Sequence, residues 1–313
     1  MEDYPANLME FEARFASEQA CREYLARMRW PDGFRCPRCG HDKAWTTARG
    51  LHHGSGCGHE VSLTAGTVFQ DTRKPLLMWF RAMWWVTSQK NGASAMGLQH
   101  ALGLGSYQTA WTWLHKLRRA MVRPGRDRLS GRVELDETYV GGQESGVIGR
   151  KTEDKSLLLI AVEREGRRLG RTRMRVIEDF SADTICAFAR DSIEPGSVIR
   201  TDGLNSYLAL AKSGYVHDRV VQRKHTERPS ELLPGVHRIA SLLKRWLLGT
   251  HQGAVGHQHL GYYLDEFTFR FNRRTSRHRG KLFYRLMQQA VAVEPTSYRE
   301  IVAKAPGSPD HNP

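Results

Sequence analysis

The chain has 313 residues, 40% of them hydrophobic, which suits two or three modules with a sizeable core. Lys and Arg number 47 against 33 Asp and Glu, a formal net charge of +14 that asks for an acidic partner, nucleic acid being the commonest. No apolar run reaches the roughly 18 residues of a membrane span, and the acidic N-terminus MEDYPANLMEFEARF has no apolar signal core. The chain is therefore expected in the cytoplasm, where disulfides are rare and the five cysteines are thiols or metal ligands.

Residues 8–29 read as an amphipathic helix, with Phe11, Phe15, Tyr24, Leu25 and Met28 as its apolar positions. Cys21 and Cys186, alone in helical stretches, read as buried thiols. Residues 34–68 are rich in Gly, Cys and His, as in a small metal-stapled unit. Residues 75–122 read as three short helices punctuated by Gly92, Gly103 and Gly105, opening at Pro75. A basic linker (123–131) precedes a run of alternating elements. Strands are predicted over 132–140, 156–162, 173–177, 197–201 and 219–222, with a basic hairpin turn before the third. A helix opened by Ser181 and Asp183 runs to Ile193, a short helix covers 205–212, and a long one starts at Val236. The order β-β-β-α-β-α-β-α is that of the ribonuclease H-like fold, an α/β class. The tail APGSPDHNP is predicted to be disordered.

Asp136 lies within or at the end of the first of these strands, and Asp202 directly follows the fourth, with Gly203 allowing a tight turn. In this topology the two strands are neighbours, so the carboxylates converge. Converging carboxylates repel unless a cation lies between them, and such pairs hold Mg²⁺ or Mn²⁺ in two-metal phosphoryl transfer. His237 lies on the first turn of the last helix, with Lys244 seven residues on and on the same face. Asp136, Asp202 and His237 around metal, with Lys244 on a phosphate, make a coherent set. Glu227 and Glu231 are alternatives to His237. Glu134, on the same strand face as Asp136, reads either as a group supporting the metal ligands or, first, as a solvated carboxylate, and Glu137 as pointing to the opposite strand face.

Cys36 and Cys39 form a C-x2-C pair, and Cys57 follows 18 residues after Cys39. A structural zinc ribbon closes with a second C-x2-C pair, but the position three before Cys57 is Gly54. His52, His53 and His59 are the candidates for a fourth ligand, His53 first because it adjoins the vacant position. In the helical module, Ser106 to Met121 takes the place of a helix-turn-helix reader. Ser106, Gln108 and Thr109 are placed to meet DNA, and Lys116, Arg118 and Arg119 to favour its backbone. Trp79, Trp84, Trp85, Trp111 and Trp113 read as core. The basic run RFNRRTSRHRGK (270–281) is a second candidate for phosphates, through Arg270, Arg273, Arg274, Arg277 and Arg279.

Six stretches in order (SLTAGTVFQDTRKPL, LGLGSYQTAWTWLHKLRRAM, VELDETYVGG, IRTDGLNSY, SLLKRWLLGTHQG and YLDEFTFRFNRR) resemble bacterial insertion-sequence transposases of the DDE type, in the ISXO-like branch with an N-terminal zinc ribbon. The resemblance implies an enzyme that binds the ends of its insertion sequence, cleaves there and joins 3′ ends to target DNA. Its catalytic positions fall on Asp136, Asp202 and Lys244, with His237 aligned where the superfamily commonly has Glu. It implies two Mg²⁺ or Mn²⁺ ions, a zinc ion and double-stranded DNA as partner. It also implies a homodimer on DNA and a nucleoid-associated place in the bacterial cytoplasm. The expected modules are an N-terminal helix (1–33), zinc ribbon (34–70), helix-turn-helix-like domain (71–122), catalytic domain (131–290) and C-terminal tail (291–313). A domesticated transposase that binds DNA without cutting it is the alternative from another class; a ribonuclease H-like nuclease would need no N-terminal reader.

Overall fold

The computed structural model describes residues 2–123, 125–141, 155–221, 229–253 and 255–303. The tail expected to be disordered and Glu227 lie outside them. The chain divides into two compact units, Met1–Pro124 with Thr275–Pro313, and Gly125–Arg274. Among the described residues no helix is long and apolar enough to cross a membrane.

The first unit opens with two helices where one is expected. Asn7 caps α1 (Leu8–Arg14) and Ser17 caps α2 (Glu18–Arg29), each side chain accepting a backbone N–H of its own first turn. The break lets Phe11 and Phe15 enter one aromatic core with Tyr24 and Phe80. A three-stranded antiparallel sheet follows, β1 (Ala44–Thr46), β2 (His52–Gly54) and β3 (Glu60–Val61). Helix α3 (Leu76–Ser88) is buried over most of its surface. Its N-cap is Pro75, which offers no side-chain bond, and the Glu18 carboxylate caps it from α2, accepting from Leu76 N at 2.8 Å and Leu77 N at 3.0 Å. Helices α4 (Ala95–Leu102) and α5 (Tyr107–Ala120) are joined through Gly103, whose φ of 60° is the left-handed cap that glycine adopts without steric cost. Trp79 stacks on Trp113 at 3.9 Å between ring centroids.

The C-terminal boundary differs from the expected 131–290. Helix α11 (Arg279–Ala290) packs in the first unit, because Phe283 completes the aromatic core with Phe11 and Phe80. It is followed in that unit by α12 (Tyr298–Val302).

The second unit is built on a five-stranded sheet in the order β6-β5-β4-β7-β8. Strands β4 (Arg132–Val140), β5 (Ser156–Glu165) and β6 (Arg168–Ile177) are antiparallel, while β7 (Val198–Thr201) and β8 (Val216–Arg219) run parallel to β4. This is the ribonuclease H-like arrangement. The β5–β6 hairpin extends further than expected, turning at Gly166 with φ 57°. The fifth strand starts three residues earlier than expected.

Strand β5 is buried on both faces, which is why SLLLIAV is continuously apolar. Its Leu157, Leu159 and Ala161 pack with α6 (Ala182–Ser192) on one side. Its Leu158, Ile160 and Val162 pack on the other with α9 (Pro234–His251) and α10 (Leu260–Asn272). The shorter helices are α7 (Ala209–Lys212), preceded by a 3-10 turn at Asn205–Leu208, and α8 (Pro229–Leu232).

Candidate metal centre and zinc ribbon

Parallel pairing of β4 with β7 sets Glu134 beside Arg200. Two residues further along each strand stand Asp136 and Asp202, so their convergence follows from register. Asp202 is fixed by a tight turn, its Oδ1 accepting from Leu204 N at 2.9 Å. Glu137 leaves β4 on the opposite face, as alternation requires, and accepts the Tyr207 hydroxyl at 2.6 Å. Its carboxylate nevertheless closes back on the other two. One oxygen each of Asp136, Glu137 and Asp202 lies within 4.8 Å of the others. Asp136 is 9% exposed. Burial, then Glu137 and Asp202, push its carboxyl up to about 8. Burial and the same carboxylates also raise the Tyr207 hydroxyl well above its ordinary range.

Three hard oxygen donors crowded in this way are a fitting cage for Mg²⁺ or Mn²⁺, whose charge removes the repulsion that otherwise keeps a proton at Asp136. His237 approaches from α9, with Nε2 at 3.9 Å from Asp136 Oδ2, and stands at the rim outside the carboxylate cluster. Lys244 lies two turns along α9 on the exposed surface, its ammonium made less basic by partial desolvation and by Lys155.

Glu134 is not the solvated carboxylate that a lone strand acid suggests. It is 4% exposed. Its Oε2 accepts from Gly235 N at 2.6 Å and Val236 N at 3.0 Å, and its Oε1 pairs with Arg164 Nε at 3.1 Å. Helix α9 has no side-chain cap of its own, so this strand carboxylate caps it and fixes the helix that carries His237 and Lys244. A Cβ at 235 would meet Glu134 Oε2 at 2.6 Å, so a larger residue there displaces this carboxylate.

In the turns before β1 and between β2 and β3, the sulfurs of Cys36, Cys39 and Cys57 lie within 4.8 Å of one another, with those of Cys36 and Cys57 3.6 Å apart. Tetrahedral zinc with bonds of about 2.3 Å sets its sulfurs about 3.8 Å apart, so the trio fits zinc. His53 does not complete it. Alternation along β2 turns His53 away from the sulfurs, to stack on Trp45 at 4.3 Å and stand 3.5 Å from Glu60. His52 packs on Trp30 and Phe34.

The DNA-contacting candidates divide. Ser106 and Gln108 are exposed at the start of α5, Thr109 is half-buried, and the Ser106 hydroxyl makes no cap bond. Lys116 is half-buried and made less basic by desolvation. Arg118 is 1% exposed and faces the core, so only Arg119 of that pair reaches solvent. Arg273 lies over Phe269 at 4.1 Å. Arg274 is exposed and donates to Gly170 O at 3.2 Å, Phe271 O at 2.9 Å and Leu169 O. Arg270 is paired with fully buried Glu266 at 2.8 Å.

The family model of the ISXO2-like transposase domain matches residues 128–272, and that of the transposase zinc-ribbon domain matches residues 16–60. The chain thus carries an ISXO2-like transposase domain behind a transposase zinc ribbon. This is a DDE-type transposase, in which Asp136 and Glu137 in the middle of β4 cluster with Asp202 just after β7. The chain is also similar to an uncharacterized protein in transposable element ISH50 of Halobacterium salinarum, 26% identical over 292 residues, covering 82% of this chain and 91% of that protein. Solved structures with some similarity include a simian T-cell lymphotropic virus intasome bound to PP2A regulatory subunit B56 gamma, at 14% identity. Its TM-score is 0.32, covering 69% of this chain and 74% of that one. The Mos1 strand transfer complex has 13% identity and a TM-score of 0.27, covering 71% of this chain and 78% of that one.

Proposed function

We propose that this transposase binds the ends of its insertion sequence, cleaves the DNA there and joins the free 3′ ends to target DNA. The observation that carries this reading is the convergence of Asp136, Glu137 and Asp202 in a chain of this family. Asp136 and Asp202 would hold two Mg²⁺ or Mn²⁺ ions, with Glu137 as a further donor and His237 at the rim. Such ions, when bound, activate the attacking oxygen and stabilise the leaving oxygen of an in-line displacement at phosphorus. The residues do the rest. Burial of Asp136 excludes water from the donors, Glu134 holds α9 in place, and Lys244 offers an ammonium to a non-bridging phosphate oxygen. Incubation of a labelled element end with Mg²⁺ or Mn²⁺ tests this. Wild type cleaves, and Asp136→Ala does not; equal cleavage by both, or by neither, sinks the reading.

Helices α4 and α5 act in this reading as a helix-turn-helix, with Ser106, Gln108 and Thr109 at the DNA and Lys116, Arg273 and Arg274 near its phosphates. Substituting Ser106 and Gln108 together by Ala weakens binding to the element end by about tenfold or more, at about 1–3 kcal/mol per good base contact. Binding to unrelated duplex changes much less, and an equal loss on both would place these residues outside sequence recognition. Cys36, Cys39 and Cys57 hold a zinc ion that staples the ribbon. The chain works on DNA in the bacterial cytoplasm, associated with the nucleoid. It assembles there as a homodimer, because joining requires two ends held together. Gel filtration with end DNA should give a dimer-sized complex, and a monomer both with and without DNA contradicts this.

A further inference from the structure

The position that would complete the ribbon is Gly54, and the backbone there gives glycine no conformational reason to be present. It pairs with Ala44 as an ordinary strand residue and its φ is not positive. Its backbone is tied in the turn that carries Cys57, with Gly54 N donating to His59 O and Gly58 N donating to Gly54 O, each at 3.0 Å. A Cβ at this position would stand 3.5 Å from Cys36 Sγ and 3.6 Å from His59 O, in ordinary contact and facing the sulfurs. The structure thus provides the direction of a fourth ligand without the ligand.

No histidine or carboxylate among the described residues joins the three sulfurs. His53 is on the other face of β2, His52 is packed between aromatic rings, and His41 Nδ1 is bonded to Lys43 N at 3.2 Å. Cys39 and Cys57 are exposed, so solvent reaches the trio.

We propose that zinc in this ribbon is held by Cys36, Cys39 and Cys57 with an open fourth position at Gly54, occupied by an exchangeable monodentate donor from solution, water or a small thiolate. This rests on the zinc reading above. Structural zinc sites are ordinarily closed by four protein ligands, and an open vertex is the arrangement that permits ligand exchange. The exchange is a ligand substitution: a thiol loses its proton to solvent, its sulfur bonds the metal, and water leaves, with no change in oxidation state.

The test uses the full-length chain loaded anaerobically with Co²⁺, whose thiolate charge-transfer bands report sulfur donors and are silent for oxygen sites. Wild type should show bands of three thiolates that grow by about a third on adding 2-mercaptoethanol. Gly54→Cys should start at the four-thiolate intensity, ignore added thiol and hold Zn²⁺ at least about tenfold tighter in chelator competition. Wild-type bands that do not respond to thiol would show the vertex already closed, which overturns the open position and leaves zinc binding intact. Absence of thiolate bands in wild type would overturn the zinc reading itself. The thiol response of wild type decides the matter even where the variant folds poorly.

Discussion

Asp136→Asn is expected to lower strand cleavage by at least about a thousandfold while leaving the fold in place. The amide keeps the shape of the side chain and removes the charge that a metal ion needs. Without metal, the variant should be the more stable protein. The Asp136 carboxyl is raised to about 8 by burial and by two like charges. In an unfolded chain it titrates near 4. A group raised in this direction favours the folded state fully below its unfolded value, and that contribution is lost as pH climbs through its folded value. Metal-free wild type should therefore lose stability between about pH 4 and pH 8, and Asp136→Asn should lose less. At pH 8 the difference is on the order of 1–3 kcal/mol, read as an upward shift of a few degrees in melting temperature. Thermal melts in chelator across that range check the sign. A variant that melts lower than wild type at pH 8 would mean that Asp136 is stabilised as an anion, against the geometry described.

Glu134→Ala should be the most damaging single change outside the carboxylate cluster. It removes the acceptor for two N–H groups at the start of α9 and leaves Arg164 half-buried without its partner. Breaking one side of a buried pair costs about 3–5 kcal/mol. Glu134→Gln keeps one acceptor oxygen and should lose about half as much. Because α9 carries His237 and Lys244, the Gln variant is expected to cleave more slowly even where it is fully folded. Denaturant unfolding, followed by cleavage assays under folded conditions, separates the two effects. A Gln variant with normal cleavage would make Glu134 a purely structural residue, and an Ala variant as stable as wild type would deny it even that role.

Asp136 and Asp202 were legible in the sequence because strand neighbours and register follow from the order of elements. Glu137 was not. Strict alternation sends it to the far face, yet its carboxylate, which accepts the Tyr207 hydroxyl, lies within reach of the other two. The pairing of Tyr207 with Glu137 spans 70 positions and leaves no local pattern. Glu134 was misread for the same reason, since its partners lie 101 and 102 positions away on a helix that has no local cap. A Pro at the start of α9 and another at the N-cap of α3 are a usable hint. Both helices draw their caps from a distant carboxylate, Glu134 in one case and Glu18 in the other. The slip in the fifth strand has a plain cause: β8 is largely exposed, so its apolar alternation is weak. His53 was favoured for adjacency to the vacant ribbon position, but adjacency on a strand means the opposite face.

The central claim is that Asp136 ligates a catalytic metal ion, and substitution by cysteine tests it most directly. A thiolate is a softer donor than a carboxylate and accepts Mn²⁺ more readily than Mg²⁺. Wild type should cleave a labelled element end with either ion. Asp136→Cys should be inactive with Mg²⁺ and regain measurable cleavage with Mn²⁺. Cleavage by the cysteine variant at the wild-type rate with Mg²⁺ would contradict a metal-ligating role for Asp136.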